Sequence, residues 1–241
     1  MDLRSVPTPR FSRTAMARGL TAVAVALASG LSCISVMAQE RAASERDRAL
    51  IAAADRGDSG AVRRLLAEGA SVHAADARGV TALIAAAYRN HNGVAELLVR
   101  AGADVNRQDD TRQSAFLIAT SDGYVELLRL TLAAGADVHR TDSYDGTGLI
   151  RAAHLGHVEI IQELLKTDIK IDHINRLGWT ALLEAIILGD GGARHTEVVR
   201  LLVAAGADVN RADREGVSPF VHARQRGFAG IAGILERPGA R

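Results

Sequence analysis

Bulky side chains are scarce in this sequence. Only 3% of its 241 residues are aromatic, with a single Trp, whereas 48% are hydrophobic. The core must therefore be built mainly from Ala, Leu, Val and Ile. Small aliphatic side chains let helix backbones approach closely while the interior stays densely packed. The composition thus favours helices packed in close layers.

Cysteine is almost absent, because Cys33 is the only one in the chain. It lies in the uncharged segment 20–39, which follows an Arg-containing start. Val36 and Ala38 place small residues at the two positions that signal peptidase inspects. We therefore predict a signal peptide over 1–38 and export to a bacterial periplasm. Cleavage after Ala38 leaves a mature chain without cysteine, which excludes disulfide bonds and thiol chemistry.

Two other interpretations of the N-terminus stay open. Residues 20–38 are long enough to span a bilayer if they are retained, which would anchor the protein in the membrane. Cys33 would be lipidated in a second alternative, although Leu31 is one place away from its usual position in a lipoprotein signal. Arg10 and Arg13 are not adjacent, which argues against a twin-arginine signal.

The chain also has little excess of positive over negative charge. The whole chain has a formal net charge of +1, and residues 1–38 hold four Arg and one Asp. The segment 1–38 is thus at +3, which leaves −2 for the rest of the chain. Binding to phosphates needs a concentrated basic face, so nucleic acid is not expected as a partner.

What the chain does contain is an internal repeat. The segment TALIAAA at Thr81–Ala87 has counterparts that start at positions 48, 114, 147, 180 and 218, so the intervals are 33, 33, 33, 33 and 38 residues. A Thr or Ser at the start predicts a helix N-cap, and a second apolar-periodic helix such as 158–165 follows. Gly or Asn, which tolerates a left-handed conformation after a helix, lies nine residues after each start. These positions are Gly57, Asn90, Gly123, Gly156, Gly189 and Gly227.

These units resemble the ankyrin repeat, whose signature is a 33-residue period with T-P-L-H-x-A. The resemblance implies an all-α ankyrin-repeat solenoid of about six helix-turn-helix units with β-hairpin-like finger loops. It covers 47–241 and leaves 39–46 as an N-terminal lead-in. The predicted repeats lie near 47–78, 79–111, 112–144, 145–177, 178–215 and 216–241.

The chain departs from the ankyrin pattern at several positions. The motif His is replaced by an aliphatic residue in every unit, so its hydrogen bonds are expected to be absent. Arg112 and Asp145 replace a finger-loop Gly, and Asp168 replaces the Gly that ends a second helix. Only Pro219 keeps the motif Pro. Apolar contact must therefore contribute more to the stack.

The fifth unit carries five extra residues after Gly189, within the stretch EAIILGDGGARHTEV at 184–198. They lengthen the turn between its two helices. One interpretation is that the extra residues only lengthen a surface loop, which costs little free energy. The other is that the Gly-rich loop 189–193 presents unpaired amides and the Asp190 carboxylate at the rim of a binding groove. The loop lacks the Gly-Lys-Ser/Thr of a P-loop, so nucleotide binding is disfavoured.

Histidine is present without metal-binding spacing. His73 and His139 occupy equivalent positions two repeats apart, and Gly156 between His154 and His157 breaks their shared helical face. We interpret the eight His residues as surface residues. We predict no catalytic residue, no metal site and no cofactor, and hence no enzymatic activity.

Protein binding is better supported than catalysis, because repeat solenoids present a long concave surface. An apolar cluster around Trp179 in units four and five is predicted to lie on that face, beside the long loop. Such clusters are typical of binding hot spots. The alternative is that Trp179 only packs on its neighbour and closes the stack. The predicted protein-binding residues are Tyr88, Arg89, Tyr144, His154, Leu155, Arg176, Leu177, Trp179, Ile187, Leu188 and Asp190.

The leading hypothesis is a monomeric, non-catalytic protein–protein interaction module of the bacterial envelope, without membrane insertion after signal cleavage. Resemblance to exported bacterial ankyrin proteins implies support of an envelope enzyme in oxidative-stress defence. An inhibitor or immunity protein against a toxin is the first alternative. A small-ligand or metal-dependent enzyme that uses loop 189–193 is the second.

Overall fold

The computed structural model describes residue 41 and residues 44–236. The predicted signal peptide over 1–38, with Cys33 and the alternative membrane anchor over 20–38, lies outside the described residues. The export hypothesis therefore stays a prediction. None of the described helices is long and apolar enough to cross a membrane.

The repeats lie within one compact unit that begins at Arg46. Each repeat consists of two consecutive helices joined by a short turn. The helices are 44–55 (α1), Ser59–Ala67 (α2), Ala82–Tyr88 (α3), Asn92–Arg100 (α4), Ala115–Asp122 (α5), Val125–Ala133 (α6), Gly148–Leu155 (α7), Val158–Leu164 (α8), Ala181–Ile187 (α9), Ala193–Ala204 (α10), Pro219–Gln225 (α11) and Ala229–Leu235 (α12).

The helices form two layers. The first helices α3, α5, α7, α9 and α11 contact one another in chain order, and so do the second helices α2, α4, α6, α8, α10 and α12. The finger loops between repeats contain isolated antiparallel bridges at Ala75–Thr81 and Thr141–Thr147, and the described residues contain no β-strand. This is the all-α ankyrin-repeat solenoid with hairpin-like fingers that the sequence predicts.

The hydroxyl residues at the repeat starts cap the first helices, as the sequence predicts. Four of them accept a hydrogen bond of 3.2–3.4 Å from the backbone N–H three residues later, namely Thr81, Ser114, Thr180 and Ser218. Thr147 begins α7 in the same way, but its buried hydroxyl makes no hydrogen bond. A Thr or Ser therefore begins the first helix in repeats two to six, with one weaker cap at Thr147. In the first repeat Arg48 lies inside α1 and does not begin it.

The core between the layers is aliphatic, and its largest fully buried side chain is Phe116. Phe116 stands where most other repeats have Leu, and the following repeat has Gly148 where most have Ala. A Cβ on Gly148 would lie 3.1 Å from the Phe116 ring and 2.9 Å from Thr120 Cγ2. The glycine in α7 thus compensates for the added volume of the ring in α5.

Two finger loops hold a residue other than Gly in the left-handed region. Arg112 has φ 62° and Asp145 has φ 61°, at the positions where other repeats have Gly. Both side chains form a hydrogen bond with Thr141. Arg112 Nη2 donates to Thr141 Oγ1 at 2.9 Å, and that hydroxyl donates to Asp145 Oδ1 at 2.9 Å. The hydrogen bonds partly offset the strain of a left-handed backbone.

Most second helices begin with a ring that reaches back to the preceding repeat. In three repeats the ring is His, and its Nε2 lies 2.9–3.1 Å from a carbonyl oxygen in the pairs His91–Asp55, His157–Ser121 and His195–His154. His195 is only 7% exposed. The interpretation of all histidines as surface residues is therefore wrong for His195. These contacts supply inter-repeat hydrogen bonds in a stack that lacks the motif His.

The five added residues build a turn and lengthen α10, which has 12 residues where α4 has nine. The left-handed residue is Gly191, with φ +69°, so the prediction that Gly189 takes this conformation is wrong. A Cβ on Gly191 would clash with the ring of Phe228 in the next repeat. Arg226 Nη2 also donates to Gly189 O at 3.1 Å. The lengthened turn is therefore an inter-repeat packing contact.

Candidate protein-binding groove

The structure places the predicted binding residues at different depths. The exposed ones are Tyr88, Arg89, Tyr144, Leu155, Arg176, Leu177, Leu188 and Asp190, and the half-buried ones are His154, Trp179 and Ile187. Tyr144 is the most exposed large apolar side chain of the group, at 61%. Trp179 is thus not sealed in the core, and it is less accessible than Leu155, Leu177 and Leu188.

A groove of about 200 Å³ lies between the finger loops and first helices of repeats four and five. We call it the Glu184 groove. It brings together four of the predicted residues, Tyr144, His154, Leu177 and Leu188, and Trp179 lies outside its lining. The lining also contains Gly146, a finger-loop position. The remaining lining residues, which the sequence reasoning missed, are Asp142, Ile150, Arg151, Asn175 and Glu184.

In each finger loop of the Glu184 groove, one Asp or Asn side chain accepts hydrogen bonds from two backbone N–H groups of the same loop. Asp142 Oδ1 accepts hydrogen bonds from the backbone N–H groups of Tyr144 and Gly146, both at 2.8 Å. Asn175 Oδ1 makes the equivalent bonds to Leu177 at 2.9 Å and to Trp179 at 3.1 Å. This turn chemistry is typical of Asp and Asn. It leaves the second polar atom of each side chain directed at the neighbouring helix.

That second atom pairs with a helix residue nine positions later. Each pair has complementary chemistry, and the three pairs are Asp142 with Arg151 at 3.1 Å, Asn175 with Glu184 at 2.7 Å and Asp213 with His222 at 2.6 Å. Earlier repeats have Ala85 or Ile118 at the helix position, and Asp109 accepts the Tyr88 hydroxyl at 2.8 Å. Only a comparison of repeats reveals this matching of finger and helix residues.

Glu184 is a deeply buried carboxylate of the Glu184 groove, with 4% of its surface exposed. Burial raises the pKa of Glu184, although the hydrogen bond from Asn175 and the charge of Arg151 act in the opposite direction. Arg151 is already engaged, because it donates to Asp142 Oδ2 at 3.1 Å and to Ser121 Oγ at 3.0 Å. The carboxylate therefore has no dedicated cation.

His154 is the other titratable group beside Glu184. Its Nδ1 lies 3.9 Å from Glu184 Oε2, which is longer than a hydrogen bond. Burial lowers the pKa of His154, and the charges of Arg151 and His195 lower it further. His154 is therefore neutral at pH 7, since an ordinary His pKa is already below that value. It adds no positive charge to the floor of the groove.

A second, larger groove of about 640 Å³ lies along repeats one to three. It contains the predicted residues Tyr88 and Arg89. Its charges are largely paired within the groove, as in Arg89–Asp55 at 3.1 Å and Arg78–Asp76 at 3.3 Å. The structure thus places two of the predicted binding residues in this groove and four in the Glu184 groove, and the other five line neither groove.

The loop 189–193 does not form an open anion cradle. Asp190 Oδ1 accepts a hydrogen bond from Gly192 N–H at 2.9 Å, and His195 Nδ1 lies 2.7 Å from the same oxygen. The Gly192 amide and His195 lower the pKa of Asp190. A carboxylate that occupies the loop amides disfavours a phosphate ligand. Among residues 41 and 44–236, no three His, Cys, Asp or Glu side chains are placed to hold a metal ion.

The repeat geometry agrees with comparisons to known proteins. A family model described as ankyrin repeats (3 copies) matches residues 23–109 and 115–232. The chain therefore belongs to the ankyrin-repeat family. Proteins of this fold are in general non-catalytic modules for protein–protein interaction.

Individual relatives are similar over different lengths. The chain is 43% identical to a solved ankyrin repeat domain from Acinetobacter baumannii AYE, with a TM-score of 0.77 over 80% of this chain and 98% of that one. It is 33% identical to the solved ankyrin repeat protein EF0377, with a TM-score of 0.76 over 79% and 98% of the two chains. The ankyrin repeat protein YahD of Escherichia coli (strain K12) is 47% identical over 62 residues, 26% of this chain and 31% of YahD.

Proposed function

We propose that this protein is a non-catalytic module that binds a protein partner through the Glu184 groove and the surface around it. The observation that carries the proposal is the exposure of Tyr144, Leu177 and Leu188, by 61%, 44% and 43%, at the rim of one groove. Large apolar side chains grouped on an otherwise polar surface are typical of interaction sites.

The composition of the groove supports the same conclusion. Protein interfaces combine apolar and aromatic anchors with polar groups whose hydrogen bonds are satisfied. Here the rim is apolar, whereas Asp142, Arg151 and Asn175 on the floor already have partners. A partner can thus bury the rim without leaving these three groups unpaired.

Capture of the partner tests this proposal. The full chain with a C-terminal tag is incubated with envelope extract of the source cells, in parallel with the variant Tyr144→Ala/Leu177→Ala/Leu188→Ala. The control is Ile174→Ala/Val221→Ala, which removes exposed apolar side chains that lie outside the lining of the groove. We expect a specific captured protein to be lost only from the triple variant. Equal capture by all three proteins would exclude this groove as the binding site.

We also propose that the protein acts in the bacterial periplasm and supports an envelope enzyme of oxidative-stress defence. The proposal is supported by the uncharged segment 20–39 after an Arg-containing start, and by the resemblance to exported ankyrin proteins. Cell fractionation and the N-terminal sequence of the isolated protein test export. A captured toxin in place of an enzyme would instead favour the inhibitor or immunity role.

A further inference from the structure

We propose that Glu184 receives a Lys or Arg side chain of the protein partner, which enters the Glu184 groove between the apolar residues of its rim. The inference rests on the proposed function and specifies the chemistry that the partner must present. It follows from the geometry of one carboxylate, from the charges around it and from the shape of the groove.

The carboxylate of Glu184 is held at one oxygen only. Oε1 accepts the 2.7 Å hydrogen bond from Asn175 Nδ2, which fixes the side chain against the finger loop. Among the described residues, the nearest basic atom to Oε2 is His154 Nδ1 at 3.9 Å, and no hydrogen bond to Oε2 is formed. A side chain that is only 6% exposed thus directs one acceptor atom into the groove without a donor.

The charges on the floor leave one negative charge uncompensated. Asp142 and Arg151 neutralise each other at 3.1 Å, and His154 is neutral. Glu184 is therefore the group that lacks an opposite charge. A buried carboxylate without a cation is unfavourable, so a positively charged group that reaches Oε2 would stabilise the ionised form.

The other helix residues at the same repeat position do not share this property. Arg151 and His222 each lie within 3.1 Å of the carboxylate of their own finger loop. Glu184 instead faces Asn175, whose amide satisfies one oxygen but brings no charge. The substitution of Asn for Asp in this one finger loop is what leaves the negative charge available to a partner.

The size and the rim of the groove fit a long cationic side chain. A volume of about 200 Å³ is below the range of sites for drug-sized ligands and suits a single side chain. Lys and Arg pack their aliphatic stems on apolar surface while the charged group reaches a polar one. Ile150, Leu177 and Leu188 provide that surface, and the exposed ring of Tyr144 can stack on a guanidinium.

Four defined peptides test the inference on the full chain. The probes are acetyl-Ala-Leu-Xaa-Leu-Ala-amide with Arg, Lys, Gln or Glu as Xaa, titrated by NMR. We expect the Arg and Lys peptides to bind roughly tenfold or more tightly than the Gln and Glu peptides. Glu184→Gln should abolish this preference while the variant still unfolds cooperatively. The matched control is Glu159→Gln, which changes an exposed Glu outside the groove and should keep the preference.

The outcomes separate this inference from the proposed function. A cation preference that persists in Glu184→Gln, or the absence of binding by all four peptides, would overturn the inference. Equal binding of the four peptides that is lost in Tyr144→Ala/Leu177→Ala/Leu188→Ala would also overturn it, but would leave the groove standing as the binding site. Partner capture that is insensitive to the triple substitution would overturn the proposed function itself.

Discussion

Asn175 donates a 2.7 Å hydrogen bond to Glu184, nine residues later, in the place where the preceding repeat has Asp142 bound to Arg151. The finger residue is thus matched to the helix residue, with Asn opposite an acid and Asp opposite a base. The same repeat position therefore carries opposite charges in adjacent repeats without loss of the contact that fixes each finger. The matching has a direct consequence for stability.

Asn175→Asp would place two carboxylates in contact. We expect it to destabilise the fold at pH 7 by about 2 kcal/mol, a typical cost of breaking a buried hydrogen-bonded pair. Adding Glu184→His should restore most of the loss, because Asp213 and His222 already form that pair at 2.6 Å in repeat six. Urea unfolding measures both variants. A double variant as unstable as the single one would contradict the matching.

Glu184→Gln should change the pH dependence of stability. Burial raises the pKa of Glu184 above its ordinary value of 4.5, so in the folded state its ionised form is disfavoured. The stability that Glu184 contributes is then fully present below the ordinary pKa and is lost as the pH rises through the raised pKa.

The variant should therefore gain stability relative to the natural protein as the pH rises above 4.5, and the gain should level off once Glu184 is ionised in the folded state as well. Urea unfolding of the two proteins at several pH values gives this difference and cancels the contributions of all other groups. A difference that is constant or shrinks with pH would contradict the raised pKa.

Gly148→Ala tests the compensation between α5 and α7. An Ala in a helix is usually more favourable than Gly by about 1 kcal/mol. Here the new methyl group would press on Phe116, and overpacking of this kind costs about 1–3 kcal/mol. We expect net destabilisation with Phe116 present and a smaller loss in a Phe116→Leu background, as measured by thermal unfolding. Some loss should remain there, because Thr120 Cγ2 would still lie 2.9 Å from the added Cβ. Equal losses in both backgrounds would exclude the proposed compensation.

Gly191→Ala tests whether the lengthened turn is a packing contact. The matched control is Gly69→Ala, because Gly69 also has a positive φ but has nothing within 4 Å of an added Cβ. Left-handed backbone costs about 1–2 kcal/mol in both variants. Only Gly191→Ala also forces the Phe228 ring to move, so it should lose clearly more stability. Equal losses of stability would indicate that the lengthened turn is a surface loop without a packing role.

The helix starts could be predicted because their signals are local. A Ser or Thr hydroxyl caps a helix through the N–H group three residues later, so Thr81 and Ser114 are recognisable without tertiary information. The left-handed Gly191 lies against Phe228, which is far along the chain and in another repeat. Nothing in the turn itself reveals that contact.

The candidate site could be predicted in part. Exposed apolar residues such as Tyr144 and Leu188 follow from their place in the repeat, since equivalent positions share the same face. The polar floor was missed because each pair, such as Asn175 with Glu184, joins a finger loop to a helix across nine residues. That spacing matches neither a helical nor a strand period. The sequence signal for these pairs is the change in charge of the helix residue from one repeat to the next.

Photo-crosslinking tests the central claim, binding through the Glu184 groove, most directly. A photoreactive amino acid replaces Leu188 at the rim in one variant and Ile174, an equally exposed residue outside the lining, in another. Both are irradiated in envelope extract of the source cells. The account predicts one defined protein adduct at position 188 and none at position 174. Adducts of equal yield at both positions, or at position 174 alone, would contradict it.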